Sequence, residues 1–163
     1  AAELRFTAVA RAFSRPRAWE PLGAAWDALE APRQDEIVVG RDDFGALRGF
    51  GELRAGGRWT LQGAALRLRP TRPARAYAVT LVIGSPQPSP LDQPEVRVRV
   101  SGRPPFSLRV SRTMAPHTFE AALEAGGAIV VQLEGPVWNR PHGPLDGGVR
   151  LERLSVAPLE PSS

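Results

Sequence analysis

The sequence predicts an all-β fold, namely an antiparallel two-sheet sandwich of the jelly-roll type preceded by a short N-terminal arm. Three observations predict it: ten short apolar segments follow one another, several alternate apolar and charged residues, and 17 Pro and 16 Gly are scattered between them. Alternation places one face of a strand in the core and the other in water. Short strands punctuated in this way favour packed antiparallel sheets over a parallel α/β fold.

Length and composition fit one globular domain. The chain has 163 residues, of which 42% are hydrophobic and 23% are charged, values that are ordinary for a folded domain. The absence of cysteine excludes disulfides, thiolate zinc sites and cysteine nucleophiles. All 21 basic residues are Arg, which we attribute first to a GC-rich coding sequence and second to adaptation to heat.

No run of eighteen apolar residues occurs in the sequence, so no membrane span is predicted. The sequence starts Ala1-Ala2-Glu3 without Met, as a mature end after signal cleavage or a segment following a membrane span would. We therefore expect the protein on the extracellular or periplasmic face of the cell envelope.

Residues 1–35 form the predicted arm. Residues 4–9 alternate as a strand does, and a later apolar stripe has the spacing of one face of a short helix. That stripe consists of Trp19, Leu22, Trp26 and Leu29. Two interpretations stay open: the arm packs on its own domain through its tryptophans, or it donates its strand to a neighbouring subunit.

Residues 36–158 form the predicted sandwich domain, and residues 159–163 form a C-terminal tail. Turn residues separate the strands, most densely at 85–90 and 101–105. The ten predicted strands lie near residues 36–39, 47–50, 58–61, 64–69, 76–83, 95–100, 106–110, 118–123, 128–134 and 148–156.

Two kinds of strand are distinguishable. Segments 65–69 and 96–100 alternate apolar residues with Arg, which predicts one buried face and one solvated face. Segments 79–83 and 128–131 are nearly continuous apolar runs, which predicts central strands that are covered on both sides.

The segment from Ile37 to Pro158 resembles a known class of β-sandwich. The resemblance rests on a few strand-and-turn patterns, which are Gly49-Phe50 with Glu52, Arg58-Trp59-Thr60, Arg69-Pro70, the strand 96–100 ending at Ser101-Gly102, and Asp146-Gly147-Gly148-Val149. It is similar to the extracytoplasmic domains of bacterial multispanning membrane proteins of the glycosyltransferase type, particularly from thermophilic lineages. The resemblance implies a jelly roll like the galactose-binding-like modules, with a role in holding glycan or positioning an envelope enzyme.

No catalytic constellation is visible in the sequence. His117 and His142, the two imidazoles, lie in Pro-rich segments that predict solvated turns. No Gly-Xaa-Ser-Xaa-Gly elbow occurs, and a phosphate-binding Gly-Lys loop is impossible without lysine. We therefore predict that the protein is not an enzyme and has no cofactor.

Acidic residues in predicted loops raise the question of calcium. Asp42-Asp43 and Asp92 offer the oxygen ligands that Ca²⁺ prefers. Adjacent aspartates in a turn more often accept hydrogen bonds from the backbone. We therefore predict no metal site.

Aromatic residues beside planar polar groups indicate sugar binding, because pyranose C–H groups pack on a ring while the hydroxyls need hydrogen-bonding partners. Trp138-Asn139-Arg140, with Asp146 a few residues on, has this composition. Trp59 beside Arg58 has it too, although core packing is the favoured interpretation for Trp59. For Trp138, core packing and ligand contact stay equally open.

The middle of the chain is basic, since residues 53–119 hold eleven Arg against Asp92 and Glu95. Rings are sparse there, so a nucleic-acid platform is not predicted. A solvated Arg face that discourages edge aggregation is the favoured interpretation.

The sequence thus predicts a non-catalytic glycan-binding or glycan-presenting accessory module of a cell-envelope protein. Its expected partner is a carbohydrate or envelope polymer, together with the membrane-embedded part of a parent protein or identical subunits. The alternative is a structural envelope subunit that assembles by strand exchange through its arm.

Overall fold

Strands dominate the structure. The computed structural model describes Trp26 and residues 29–139 and 145–159, and 54% of these residues lie in strands. The prediction of a β protein is confirmed. The strands are β1 (Glu36–Val38), β2 (Leu47–Arg54), β3 (Gly57–Leu68), β4 (Tyr77–Gly84), β5 (Glu95–Val100), β6 (Phe106–Arg109), β7 (Ala115–Ala121), β8 (Ile129–Glu134), β9 (Trp138–Asn139), β10 (Leu145–Gly147) and β11 (Arg150–Pro158).

Nine of these strands form one antiparallel sheet. Its order is β6-β5-β8-β3-β11-β4-β7, with β1 added beside β11 and β2 beside β3. Strand β3 connects the two halves, because Ala64–Leu68 pairs with β8 while Arg58 and Trp59 pair with β11. Two separate sheets were expected, whereas within the described part these strands belong to one curled sheet that is consistent with a β-sandwich.

The sheet bends where β2 pairs with β3, and two glycines make the bend possible. Gly49 and Gly63 have φ values of +75° and +73°, a region that residues with a Cβ rarely adopt. A Cβ on Gly49 would lie 2.7 Å from the Gly63 carbonyl oxygen. The β2–β3 register also shifts between Arg48 and Phe50, as at the corners of packed sheets.

A single hydrophobic core lies inside the curl. Val98 and Leu133 enter it from one half of the sheet, and Leu81 and Leu154 enter it from the other. Phe50 lies beside the bend and is fully buried. Because both halves contribute to one cluster, the opposite face of each strand is left for solvent, for the arm or for a ligand.

Strand β5 matches the prediction in bounds and in facing. Val96, Val98 and Val100 are buried, whereas Arg97 and Arg99 are exposed. The predicted central strands also lie inside the sheet, since β4 is flanked by β11 and β7, and β8 by β5 and β3.

The described end of the arm packs on its own domain. Trp26 is only 7% exposed, and Arg67 places its guanidinium carbon 3.9 Å from the indole centroid. Arg69 donates its backbone N–H to the Pro32 carbonyl at 2.8 Å and accepts from Gln34 N at 3.0 Å. Arg67 was expected on a solvated face, and that expectation was wrong because the arm covers it.

The other arm predictions lie outside the described residues. These are the strand at 4–9 and the first part of the apolar stripe, at Trp19 and Leu22. Within the described part, no helix has the length and apolar character that crossing a membrane requires.

Candidate ligand groove

The two tryptophans proposed for sugar binding pack against each other. Trp59 on β3 is 6% exposed and Trp138 on β9 is 8% exposed. Their rings meet edge to face, with centroids 5.5 Å apart and planes at 87°, a geometry that aromatic pairs favour. In this structure the two rings support the β9–β10 hairpin and do not form an open platform.

Backbone hydrogen bonds dock the chain after that hairpin onto β3. Thr60 accepts from Gly148 N at 2.6 Å through its carbonyl, and donates its own N–H to Val149 O at 2.8 Å. Its hydroxyl accepts from Val149 N at 3.0 Å. Gly147, at φ +126°, passes so close that a Cβ there would lie 2.4 Å from the Thr60 carbonyl oxygen.

Arg58, the third proposed residue, is engaged in a structural ion pair. Its Nε donates to Asp43 Oδ2 at 2.8 Å and its Nη1 donates to Gly51 O at 3.0 Å. The Arg58 and Asp43 side chains are 16% and 13% exposed. Asp42 accepts from Val38 N, which is the backbone role expected for aspartate in a turn. Among the described residues, no group of three or more His, Asp or Glu is placed to hold a metal ion.

The remaining proposed residues lie in or beside the hairpin. Asn139 ends β9 and Asp146 lies within β10, but their side chains and all of Arg140 fall outside the described part. Their contact with a glycan stays a prediction. His117 was expected in a solvated turn, and that expectation was wrong, since it lies in β7 opposite Leu81; His142 lies outside the described residues.

An open groove of about 450 Å³ lies on the outer face of β5 and β8. Its floor includes Arg99 and Gln132, which are direct cross-strand partners and therefore present their side chains on the same face. Val130 precedes Gln132 on that face. The loop after β7 forms the far wall. The complete lining is Arg99, Val100, Ser101, Leu123, Glu124, Ala125, Val130 and Gln132.

Backbone hydrogen bonds fix the wall of the groove. Ala122 N donates to Ser101 O at 2.9 Å, which ties the loop to the end of β5. Glu124 N donates to Ala128 O at 2.8 Å and Glu124 O accepts from Gly127 N at 2.9 Å. The loop is therefore closed on itself before β8 begins, which gives the groove a defined shape.

The groove combines planar polar groups with apolar surface. Arg99 is 48% exposed and its Nε lies 3.7 Å from Glu134 Oε1; a pair this exposed is weak and leaves the guanidinium able to donate elsewhere. Gln132 offers both donor and acceptor, and Glu124 offers acceptors. Leu123, 36% exposed, adds apolar contact.

Sequence reasoning did not find this groove, because its parts come from β5, β8 and the loop between β7 and β8. One signal was available in the sequence. Gln132 interrupts the apolar segment Ile129–Leu133 at an outward position, and a polar residue there marks a solvated spot on an otherwise apolar strand.

Comparison with known proteins finds distant similarities among solved structures. No protein-family model matches the chain, and no curated protein sequence matches it. Among solved structures it is similar to a family GH115 4-O-methyl-α-glucuronidase (12% identity, TM-score 0.49), to the C-terminal CBM6 of a marine laminarinase from Zobellia galactanivorans (9%, 0.45) and to a family 35 carbohydrate binding module from Clostridium thermocellum (15%, 0.45).

The extent of these similarities differs. They cover 87%, 74% and 77% of the present chain, and 25%, 96% and 100% of the respective proteins. The chain thus spans about a quarter of the glucuronidase and nearly all of the two binding modules. Because the TM-scores lie below 0.5 and the identities do not exceed 15%, no site residue or activity of these proteins is assigned to this chain. The membrane-protein parent suggested by the sequence stays a prediction.

Proposed function

We propose that the protein is a non-catalytic carbohydrate-binding module whose ligand lies in the groove on β5 and β8. The observation that carries this proposal is the composition of the groove. Three planar polar side chains, those of Arg99, Glu124 and Gln132, surround a shallow surface that also includes apolar atoms of Leu123 and Val130.

This composition suits a pyranose ring. Sugar hydroxyls need donors and acceptors held in fixed positions, and the C–H faces need apolar contact. Arg99 supplies only donors, Glu124 only acceptors, and Gln132 both. An open groove also admits one stretch of a longer polymer, which an enclosed pocket would exclude.

The proposal includes a location for the protein. We place the protein at the outer face of the cell envelope, where polysaccharides are exposed.

The described part of the arm bears on the alternative of assembly by strand exchange. The backbone carbonyls of Trp26, Leu29 and Ala31 accept hydrogen bonds from Arg67 and Arg69 of the same chain. We therefore give the binding module priority over the structural subunit.

A glycan array followed by calorimetric titration of the best glycan tests the proposal. We expect Arg99→Ala and Gln132→Ala each to weaken binding by about tenfold or more, the loss of one hydrogen bond to a charged or well-placed polar group. Incubation with the glycan should release no new reducing ends, as expected for a non-catalytic module.

Two matched controls make the experiment specific. Arg153 resembles Arg99, because its side chain is 52% exposed and its Nε lies 3.6 Å from Glu36 Oε1, yet it lies on β11 away from the groove. Gln62 is an exposed glutamine on β3. Arg153→Ala and Gln62→Ala should leave the affinity unchanged. Equal losses in the controls and the groove variants, or no glycan binding at all, would contradict the proposal.

A further inference from the structure

A row of side chains runs from the groove across four strands toward Arg48, which contacts Trp26. Arg99 on β5 is paired with Gln132 on β8, Gln132 with Ala65 on β3, and Ala65 with Arg48 on β2. Directly paired residues share one face of a sheet. The row therefore starts in the groove and continues beyond it over Ala65 toward Arg48.

The second half of this row is covered, and Trp26 packs at its far end. Ala65 is fully buried although it lies on the outer face, opposite the core residues Ala64 and Leu66. The guanidinium carbon of Arg48 is 4.6 Å from the Trp26 ring centroid, and that of Arg67 is 3.9 Å away. Arg67 also donates through Nη2 to the carbonyls of Trp26 and Leu29.

The groove ends where this cover begins. Val130 and Gln132 line the groove, and their partners on β3 are Arg67 and Ala65. Arg67 contacts Trp26, and Ala65 is fully buried on the same face. Two strand spacings, about 10 Å, separate Gln132 from Arg48. A ligand that runs across the strands from the groove is therefore prevented from contacting the row over this length.

The seat of the indole has an unsatisfied polar atom. Trp26 Nε1 is buried and has no hydrogen-bond partner within the described part of the chain. Burying a donor without a partner costs stability. The guanidinium groups of Arg48 and Arg67 contact the ring, and Arg67 donates to the backbone carbonyl of Trp26. None of these contacts uses the indole N–H, so the side chain acts here through the volume that its ring fills.

We infer that Trp26 is the end wall of the groove and determines the length of glycan that it accepts. The inference rests on the proposed function, and it concerns specificity within that site. Removing the indole should open the row over Ala65 and let a longer oligosaccharide extend across β3.

A single thiol reports whether the wall covers this surface. The chain contains no cysteine, so Ala65→Cys introduces one reactive group. We expect iodoacetamide to label this thiol slowly in Ala65→Cys, where Trp26 is present. In Trp26→Ala/Ala65→Cys labelling should be at least about tenfold faster, because the reagent can reach the thiol without a local opening of the structure that displaces the indole ring. A thiol that stays equally protected without the indole would overturn the inference.

Calorimetry with two glycans measures length specificity. The probes are the disaccharide and hexasaccharide of the linkage with the strongest array signal. In Trp26→Ala, the affinity ratio of hexasaccharide to disaccharide should rise about tenfold, the gain from one further hydrogen-bonded contact. The hexasaccharide should also slow labelling of the thiol at position 65, whereas the disaccharide should not.

Trp26→Phe is the matched control, because it keeps an aromatic ring over Arg67 and should leave the ratio near its original value. Circular dichroism spectra that match the original chain show that the variants are folded. A thiol exposed by Trp26→Ala with an unchanged ratio would refute the inference and leave the proposed function intact. A chain that binds no glycan on the array would refute both.

Discussion

Replacing Trp138 by alanine separates packing from ligand contact. The indole is 8% exposed and meets Trp59 edge to face at 5.5 Å. Truncating a buried tryptophan to alanine costs about 3–5 kcal/mol of stability. An edge-to-face aromatic pair contributes about 1 kcal/mol beyond the stabilisation that comes from burying the ring surface. We expect Trp138→Ala to lower the free energy of unfolding by about 4 kcal/mol, which is a drop in melting temperature of roughly 8–16 °C for a domain of this size.

Urea denaturation followed by circular dichroism measures this change, and titration with the array-selected glycan is run well below the transition. The folded fraction of Trp138→Ala should bind the glycan as the original chain does, because the groove on β5 and β8 does not include this residue. Trp59→Phe, which keeps an aromatic ring in the pair, should lose less stability than Trp138→Ala.

The opposite pattern would refute this reasoning. If Trp138→Ala lost less than about 1 kcal/mol of stability while glycan binding disappeared, the indole would be a ligand contact. The glycan site would then lie at the β9–β10 hairpin, near Asn139 and Asp146, as the composition of the sequence first indicated.

Two further predictions concern stability. Gly147→Ala should destabilise the fold by about 1–3 kcal/mol, because its Cβ would lie 2.4 Å from the Thr60 carbonyl oxygen. Gly126→Ala is the control, since open space surrounds that position, and it should change stability by less than about 0.5 kcal/mol. The urea midpoints of the two variants measure the difference. The Thr71 hydroxyl and backbone N–H donate to the Asp35 carboxylate and lower the pKa of Asp35. A pKa that is lowered in the folded state contributes stability that is present above the usual pKa and lost as the pH falls through the lowered value. Asp35→Asn should therefore make the free energy of unfolding less dependent on pH below about pH 4. Urea midpoints measured at a series of acid pH values test this, and an unchanged pH dependence would contradict the role of this hydrogen bond.

Local pattern was enough to predict the regular strands. Strand β5 has the predicted bounds and facing because Arg and Val alternate without interruption between two turn segments. Strand β3 was predicted as two strands, near residues 58–61 and 64–69. In the structure the chain bends at Gly63 and continues as one strand of twelve residues.

Long-range contacts could not be predicted from the pattern. Arg67 alternates with leucines as a solvated residue would, but Trp26 and Leu29 of the arm accept its hydrogen bonds. The β9–β10 hairpin escaped prediction because prolines and glycines surround its very short strands. Local sequence does not state which distant segment covers a face.

The candidate site shows the same limit. Residue type pointed to Trp59 and Trp138, since large aromatics serve cores and sugar sites alike. The core packing favoured for Trp59 is confirmed by its 6% exposure. Its contact with Trp138 became visible only in the structure, where β10 lies against β3 and pairs with β9. Arg99 and Gln132 form no motif in the sequence, and the pairing of β5 with β8 brings them together.

A nuclear magnetic resonance titration of the isotope-labelled chain with the array-selected glycan tests most directly where the ligand binds. Binding in the groove predicts that the largest amide shifts occur at Arg99, Glu124 and Gln132, with little change at Trp138 and Asn139. Shifts concentrated at Trp138 and Asn139, with Arg99 and Gln132 unmoved, would contradict the groove and place the glycan at the hairpin.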